Sequence, residues 1–319
     1  MFQRLLLKSL TGSALALGAY MYTQSDHTLR MVEQKPKLLE AWKRGKNGER
    51  LLKPESLFLC SGNANKPLAE DIAKHLGTSL GNMLVSKFAD GETKIQIKEN
   101  VRGKDVFIIQ PTCPPVNENL MELLLLISTA RRASAKRVTA VIPYYGYARQ
   151  DRKITSRVPI SAADVSKLLE TMGVDRVIAM DFHCGQIEGF FSPRVPADNL
   201  NGTSVMLDYV LENRKLFSDP NKTVIVSPDA GGTRRARKFQ ESFIAKGFTK
   251  AQFAIMIKQR KAESQITSMD LVGDVKGKDC IIIDDMIDTA VIAYNQIGNY
   301  MQSCSGTQKK RCSESICLC

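Results

Sequence analysis

From Ser56 onward, short apolar runs alternate with longer amphipathic stretches. SLFLCSG, at 56–62, has the pattern of a short buried strand ending in a turn. Over 66–77, Leu68, Ile72, Ala73 and Leu76 share one helical face, and Gly77 marks the stop. DVFIIQ at 105–110 predicts a buried strand closed by Pro111. Residues 117–132 predict a helix that is apolar nearly all round and therefore buried. The alternation then repeats: strand 137–142, helix 160–169, strand 176–180, helix 203–213, strand 223–226, helix 233–242, strands 253–257 and 280–283, and a last helix over 289–301. Continuous apolar strands separated by helices predict an α/β fold with parallel sheets covered on both faces. Ligands of such sheets bind beyond the strands' carboxyl ends, so the chemistry is expected in the loops that follow them.

The pattern breaks at PADNLNG, 196–202, and each side carries its own series of strands and helices. This predicts two domains, 56–198 and 199–302. Residues 1–55 precede the globular pattern as an extension, with a polar, basic linker at 30–55. Its first stretch is basic and apolar, with no acid before Asp26, which fits an organelle transit peptide; a secretory signal is the rival. The apolar part is too short for a comfortable membrane span. The expected location is the cytoplasm, with a mitochondrion or other organelle as the alternative. Residues 303–319 have no periodicity and are expected to be disordered.

Charge and cysteine usage narrow the chemistry. Of the net charge of +12, residues 1–56 contribute +5 (ten Lys/Arg, five Asp/Glu) and 304–319 contribute +2 (three Lys/Arg, one Glu), which leaves +5 for the body. So small an excess suits anionic small molecules, and no stripe of basic and aromatic residues points to nucleic acid. The eight cysteines include no Cys-x-x-Cys pair, so a zinc ribbon or thioredoxin-like site is unsupported. The body has the character of a reduced intracellular protein.

Candidate residues cluster just after the strands. Asp284, Asp285 and Asp288 follow a triple isoleucine, and Thr289 follows them. Three crowded carboxylates persist where cations or sugar hydroxyls occupy them, although helix capping by Asp288 is a plain alternative. SPDAGG at 227–232 offers Asp229 and a glycine turn into a helix carrying Arg234, Arg235 and Arg237, a pattern that favours anions; a simple turn with a solvated basic face also fits. DFHCG at 181–185 places His183 two residues after Asp181. PYYGYARQDRK at 143–153 sets Arg149, Arg152 and Lys153 on an aromatic loop, either an exposed charged loop or a lid over phosphates. FADGE at 88–92 has the form of a hairpin turn, and Lys258 and Arg260 share a face at a strand end, where an edge-strand lysine is the bland account. Neither a Walker A pattern nor G-x-G-x-x-G occurs.

In order, FADGE, NLMELLLLI, RVTAVIPYYGYARQDRK, MDFHCGQIEGFF, SPDAGG and LVGDVKGKDCIIIDDMIDTA resemble the ribose-phosphate diphosphokinases, over about 56–290. The resemblance implies two phosphoribosyltransferase type I-like domains, the second incomplete. It implies transfer of the diphosphoryl group of MgATP to C1 of ribose 5-phosphate, giving phosphoribosyl diphosphate and AMP, in a homo-oligomer or an oligomer with homologous subunits. It implies ATP contacts from Phe88, Asp90, Gly91, Glu92, Arg149, Gln150, Asp151 and His183. It implies magnesium at His183 and Asp229, with Asp181 and Asp198 as further ligands. Lys258 would be the catalytic cation, Arg260 would hold the sugar phosphate, and Asp284, Asp285, Asp288 and Thr289 would face the sugar.

Two departures qualify that expectation. Where the family continues with Gly and Thr after the acidic turn, this chain has Ala290, Val291 and Ile292. Branched side chains resist positive φ and add no hydroxyl, so the 5′-phosphate cradle is expected to be impaired. The chain then drifts into YNQIGNYMQSCSGTQKKRCSESICLC, which predicts a bare strand edge in the second domain and fits a frame change or misread splice boundary near 290. A partner subunit without activity, or a phosphoribosyltransferase, are the competing expectations.

Overall fold

The computed structural model describes residues 56–213, 222–262, 265–286 and 316–318. It divides into two compact units between Asn201 and Gly202.

The first unit is built on a five-stranded parallel sheet of order β1-β4-β5-β6-β7: β1 Leu57–Ser61, β4 Asp105–Ile109, β5 Arg137–Ile142, β6 Arg176–Met180 and β7 Ala197–Leu200. The inner strands are apolar throughout because both faces are covered; β5 buries every residue from Val138 to Ile142. Helix α1 (Lys66–Leu76) starts where Asn65 accepts a hydrogen bond from the Leu68 N–H at 3.1 Å. It stops at Gly77, whose φ of 66° is left-handed. Helix α2 (Val116–Arg132) packs on β4 and β5 and on the hairpin strand β3; α3 (Ser161–Thr171) joins β5 to β6. α2 differs from its expected all-round burial: Met121 is half exposed, whereas Asn119 and Glu122 are buried. Its polar residues turn inward to hydrogen-bond the loops beside it, as described below.

FADGE is the tip of a separate two-stranded antiparallel ribbon, β2 (Met83–Lys87) and β3 (Thr93–Ile97). Met83, Val85, Ile95 and Ile97 pack from this ribbon onto the core of the unit, which supplies the stability that a lone hairpin lacks. β7 lies where the sequence showed only a break in pattern. It is a four-residue edge strand just after Pro196, too short to display alternation.

The second unit carries the order β10-β9-β8-β11-β12: β8 Thr223–Ser227, β9 Gln252–Ala262, β10 Gln265–Val272, β11 Asp279–Ile283 and β12 Ile316–Leu318. Helices α4 (Thr203–Glu212) and α5 (Thr233–Ala245) pack together, and α5 buries Ala236, Phe239 and Phe243. The Phe243 ring stacks on Phe248 at 4.0 Å between centroids. The sheet is parallel except for β10, which runs antiparallel to β9. Only two residues separate β9 from β10 in the chain, and so short a link can only reverse direction.

The tail expected to lack structure supplies β12, parallel to β11 in the register Ile281↔Ile316, Ile282↔Cys317 and Ile283↔Leu318. The edge of β11 is therefore paired, not bare: an open ladder takes up a short apolar run that the chain itself offers. The helix expected at 289–301 falls outside the described residues. Among the described residues no helix is long and apolar enough to cross a membrane.

Candidate functional site

In the first unit, the candidate residues stand on three structures at the carboxyl ends of the strands or beside them. The FADGE turn closes on itself: Phe88 N–H donates to Glu92 O at 2.8 Å, Gly91 N–H to Phe88 O at 3.0 Å, and Glu92 N–H to the Asp90 carboxylate at 3.1 Å. Gly91 has φ 93°, which only glycine adopts without strain. The Phe88 ring is half exposed, with Lys94 Nζ 5.3 Å from its centroid. Asp90 and Glu92 are exposed.

A buried polar group anchors this ribbon, and sequence reasoning missed it. Glu122 accepts from Asn63 N–H at 2.9 Å, Asn63 Nδ2 at 2.7 Å and Gln110 Nε2 at 2.9 Å. Asn63 Nδ2 also reaches Val85 O of β2 at 3.4 Å. Gln110 is fully buried, and a Cβ on Gly62 would come within 2.3 Å of its side chain. The available signal was one carboxylate in the otherwise apolar run NLMELLLLI.

The loop after β5 is wedged in place. Thr112 Oγ1 donates to Tyr144 O at 3.0 Å and takes the Gly146 N–H at 2.6 Å. The Tyr145 hydroxyl donates to Ala162 O at 3.1 Å, and its ring meets Phe182 edge-on at 5.2 Å. Tyr147, at φ 61°, hydrogen-bonds Asn117 through its hydroxyl. Gln150 accepts from the Ser161 hydroxyl and from Ala162 N–H at the start of α3. Arg149, Gln150, Arg152 and Lys153 are exposed, whereas Asp151 is buried. Asp151 Oδ2 accepts from Cys184 Sγ at 3.0 Å and Gln186 Nε2 at 2.5 Å. Desolvation first, then the Asp151 carboxylate, pushes the Cys184 thiol up to about 12, so it remains protonated and able to donate.

After β6, Asp181 has φ 43° and its N–H donates to Leu200 O at 2.8 Å; Phe182 N–H donates to Asn199 Oδ1 at 3.0 Å. His183 is exposed. On β7, the Asp198 carboxylate is engaged by Arg176 of β6 at 2.5 Å, a cross-strand ion pair.

In the second unit, Ser227 Oγ donates to Asp229 O at 2.7 Å, and Gly232 N–H donates to Asp229 Oδ1 at 2.9 Å, a tight turn into α5. Asp284 and Asp285 follow β11, and Asp285 N–H donates to Asp284 Oδ1 at 2.9 Å. Arg235 Nη1 lies 3.3 Å from Asp285 Oδ1, with the two side chains only 14% and 7% exposed. Burial first, then Asp285 and Asp229, pushes the Asp284 carboxyl up to about 7. Asp284, Asp285 and Arg235 thus stand together at the end of β11, and the charge of Asp229, after β8, acts weakly on Asp284. Lys258 and Arg260 occupy alternate positions of β9, opposite Met269 and Ile266 of β10 and beyond the Ile255 end of the pairing with β8. Asp288 and Thr289 fall outside the described residues. Among the described residues, no three His, Cys, Asp or Glu side chains stand together as metal ligands.

Comparison with known proteins bears on both units. Residues 57–173 match the N-terminal domain of ribose phosphate pyrophosphokinase, and 211–293 match the phosphoribosyl transferase domain. The ribose-phosphate pyrophosphokinase of Gloeobacter violaceus is 50% identical over 241 residues, 76% of this chain and 69% of that protein. Ribose-phosphate pyrophosphokinase 1 of Spinacia oleracea is 50% identical over 234 residues, 73% of this chain and 67% of that protein. The crystal structure of phosphoribosylpyrophosphate synthetase from Mycobacterium smegmatis superposes with a TM-score of 0.68 at 38% identity, covering 78% of this chain and 77% of the other.

Proposed function

Because this chain belongs to the ribose-phosphate pyrophosphokinase family, we propose that it transfers the diphosphoryl group of MgATP to ribose 5-phosphate. The C1 hydroxyl oxygen forms a bond to the β-phosphorus and releases its proton to solvent, the bond from that phosphorus to the α-phosphate oxygen breaks, and AMP leaves. The observation that carries this reading is that both family domains lie in one chain at half identity to enzymes of that name. A phosphoribosyltransferase would have no use for the first unit's FADGE and ARQD loops.

Such a transfer needs positioning and charge neutralisation more than covalent help. Asp284 and Asp285 are suited to accept hydrogen bonds from the vicinal sugar hydroxyls, and Asp288 and Thr289 are assigned to the sugar with them. Lys258 is assigned the charge that develops on the transferring group, and Arg260 the sugar phosphate. Phe88, Asp90, Gly91 and Glu92 are assigned to the adenine, and Arg149 and Gln150 to the phosphates. Magnesium suits hard carboxylate oxygens such as those of Asp229 and Asp284: burial first, then Asp285 and last Asp229 disfavour the Asp284 charge, which a divalent cation would offset. His183 and Asp181 in the first unit, and Asp229 in the second, are each assigned a magnesium role. Bound there with ATP, the ion would neutralise phosphate charge. Asp198, which also pairs with Arg176, is the remaining candidate for a magnesium role.

Purified protein incubated with MgATP and ribose 5-phosphate should release AMP in proportion to ribose 5-phosphate consumed. Val291 and Ile292, in place of Gly and Thr, favour a second reading, an inactive subunit that assembles with active homologues. Retained MgATP binding with no AMP would select that second reading. The assembly is proposed as an oligomer of this chain or of it with its homologues. The compartment is proposed as the cytoplasm, or an organelle reached through residues 1–55.

A further inference from the structure

We propose that Asp151 is a positioning residue, whose buried carboxylate clasps the loop bearing Arg149 to the loop bearing His183 so that the two move as one unit. This rests on the reading of both loops as the ATP side of the site. It departs from the expectation that Asp151 itself touches the nucleotide. Asp151 is 8% exposed, and one of its carboxylate oxygens already takes two side-chain hydrogen bonds from across the gap, from Gln186 and Cys184. The partners lie 33 and 35 positions away in the chain, so nothing local holds them together.

Three features give the clasp a role beyond packing. First, it spans the two loops that follow adjacent parallel strands, β5 and β6, where ligands of such sheets bind. Second, each loop contains a non-glycine residue in the left-handed region, Tyr147 at φ 61° and Asp181 at φ 43°. Such conformations persist only where the surroundings over-determine them. Third, a buried carboxylate without partners is strongly disfavoured, so the loop containing Asp151 settles only when Gln186 is in place. A loop that must meet ATP phosphates through exposed Arg149 is thereby held in one arrangement before ligand arrives.

Amide hydrogen exchange on the full chain tests this. The reporters are Gln150 N–H, bonded to Tyr147 O in one loop, and Ile187 N–H, bonded to Cys184 O in the other. Q186E sets a carboxylate against Asp151. It should speed exchange at Gln150, in the opposite loop, by roughly tenfold or more, with β5 amides unchanged. D151N/Q186E reverses donor and acceptor and should return both reporters to within about threefold of wild type. Faster exchange confined to Ile187, or no recovery in the double variant, would overturn the clasp. If Q186E does not fold, Q186A removes the donor without adding charge, and the same criterion at Gln150 decides. Nucleotide-free rates decide the clasp itself. A wild-type protein whose two reporters ignore MgATP would instead overturn the ATP-side reading.

Discussion

Asp284 sits behind β11 with Asp285 and Asp229 beside it, and its carboxyl titrates at about 7 against an ordinary value of 3.8. Between about pH 4 and pH 7 the folded protein therefore holds a proton that the unfolded chain has released. Stability must fall as pH rises through that window and level off above it. D284N removes the titration. Thermal unfolding of the ligand-free variant should be flatter from pH 4 to 7, and its Tm at pH 8 should exceed that of wild type. An unchanged pH profile would show that Asp284 is not the source. The same residue explains the expected ligand response: magnesium or a sugar diol favours the ionised form, so binding near pH 7 should release protons in unbuffered titration.

At the scale of elements, the β2–β3 ribbon belongs to neither main sheet and is tied to the first unit through Asn63 and Glu122. E122A leaves the Asn63 and Gln110 donors without their acceptor and should cost about 3 kcal/mol of unfolding free energy, read from denaturant midpoints. The loss should be accompanied by faster exchange at Gly91 and Phe88 in the ribbon turn, because the anchor of β2 goes with it. This network marks where legibility in the sequence ended. Strands such as DCIII and RVTAVI were plain because burial on both faces leaves an unbroken apolar run. The loops carrying Asp181, His183, Asp229 and Asp284 followed from those strands by direction alone. What stayed hidden was whatever depended on distant partners: that Asp151 faces Gln186, that Asp198 is paired with Arg176, that Glu122 points inward, and that β10 runs backward along β9. Residue type and spacing report periodicity, and they carry no information about which side chain meets which across 30 or 50 positions.

On the scale of the whole molecule, each unit presents a largely parallel sheet whose chemistry lies beyond its strand ends. The second unit completes that sheet with β12, a strand borrowed from a tail that otherwise lacks any pattern. Deletion of residues 316–319 should reopen the ladder edge of β11. We expect the shortened chain to keep the first unit's fold but to form soluble aggregates, seen as rising scattering intensity at micromolar concentration. A monodisperse product with unchanged unfolding would mean that the pairing of Ile281–Ile283 with Ile316–Leu318 contributes little. The division between the units also sets how damage spreads. Substitutions around Asp284 act on the second unit's core of Ile281, Ile283, Phe239 and Phe243, and those around Asp151 on the first unit's core of Ile142, Tyr145 and Phe182.

Tyr147 combines an aromatic side chain with a left-handed backbone, next to Gly146, where a Cβ would come within 2.6 Å of Thr112 O. A bulky residue in that conformation carries a strain on the order of 1–2 kcal/mol, which glycine would release. The hydroxyl on Asn117 is what the exchange would forfeit. Y147G therefore sets released backbone strain against a lost hydrogen bond, two opposing effects on the same unfolding temperature.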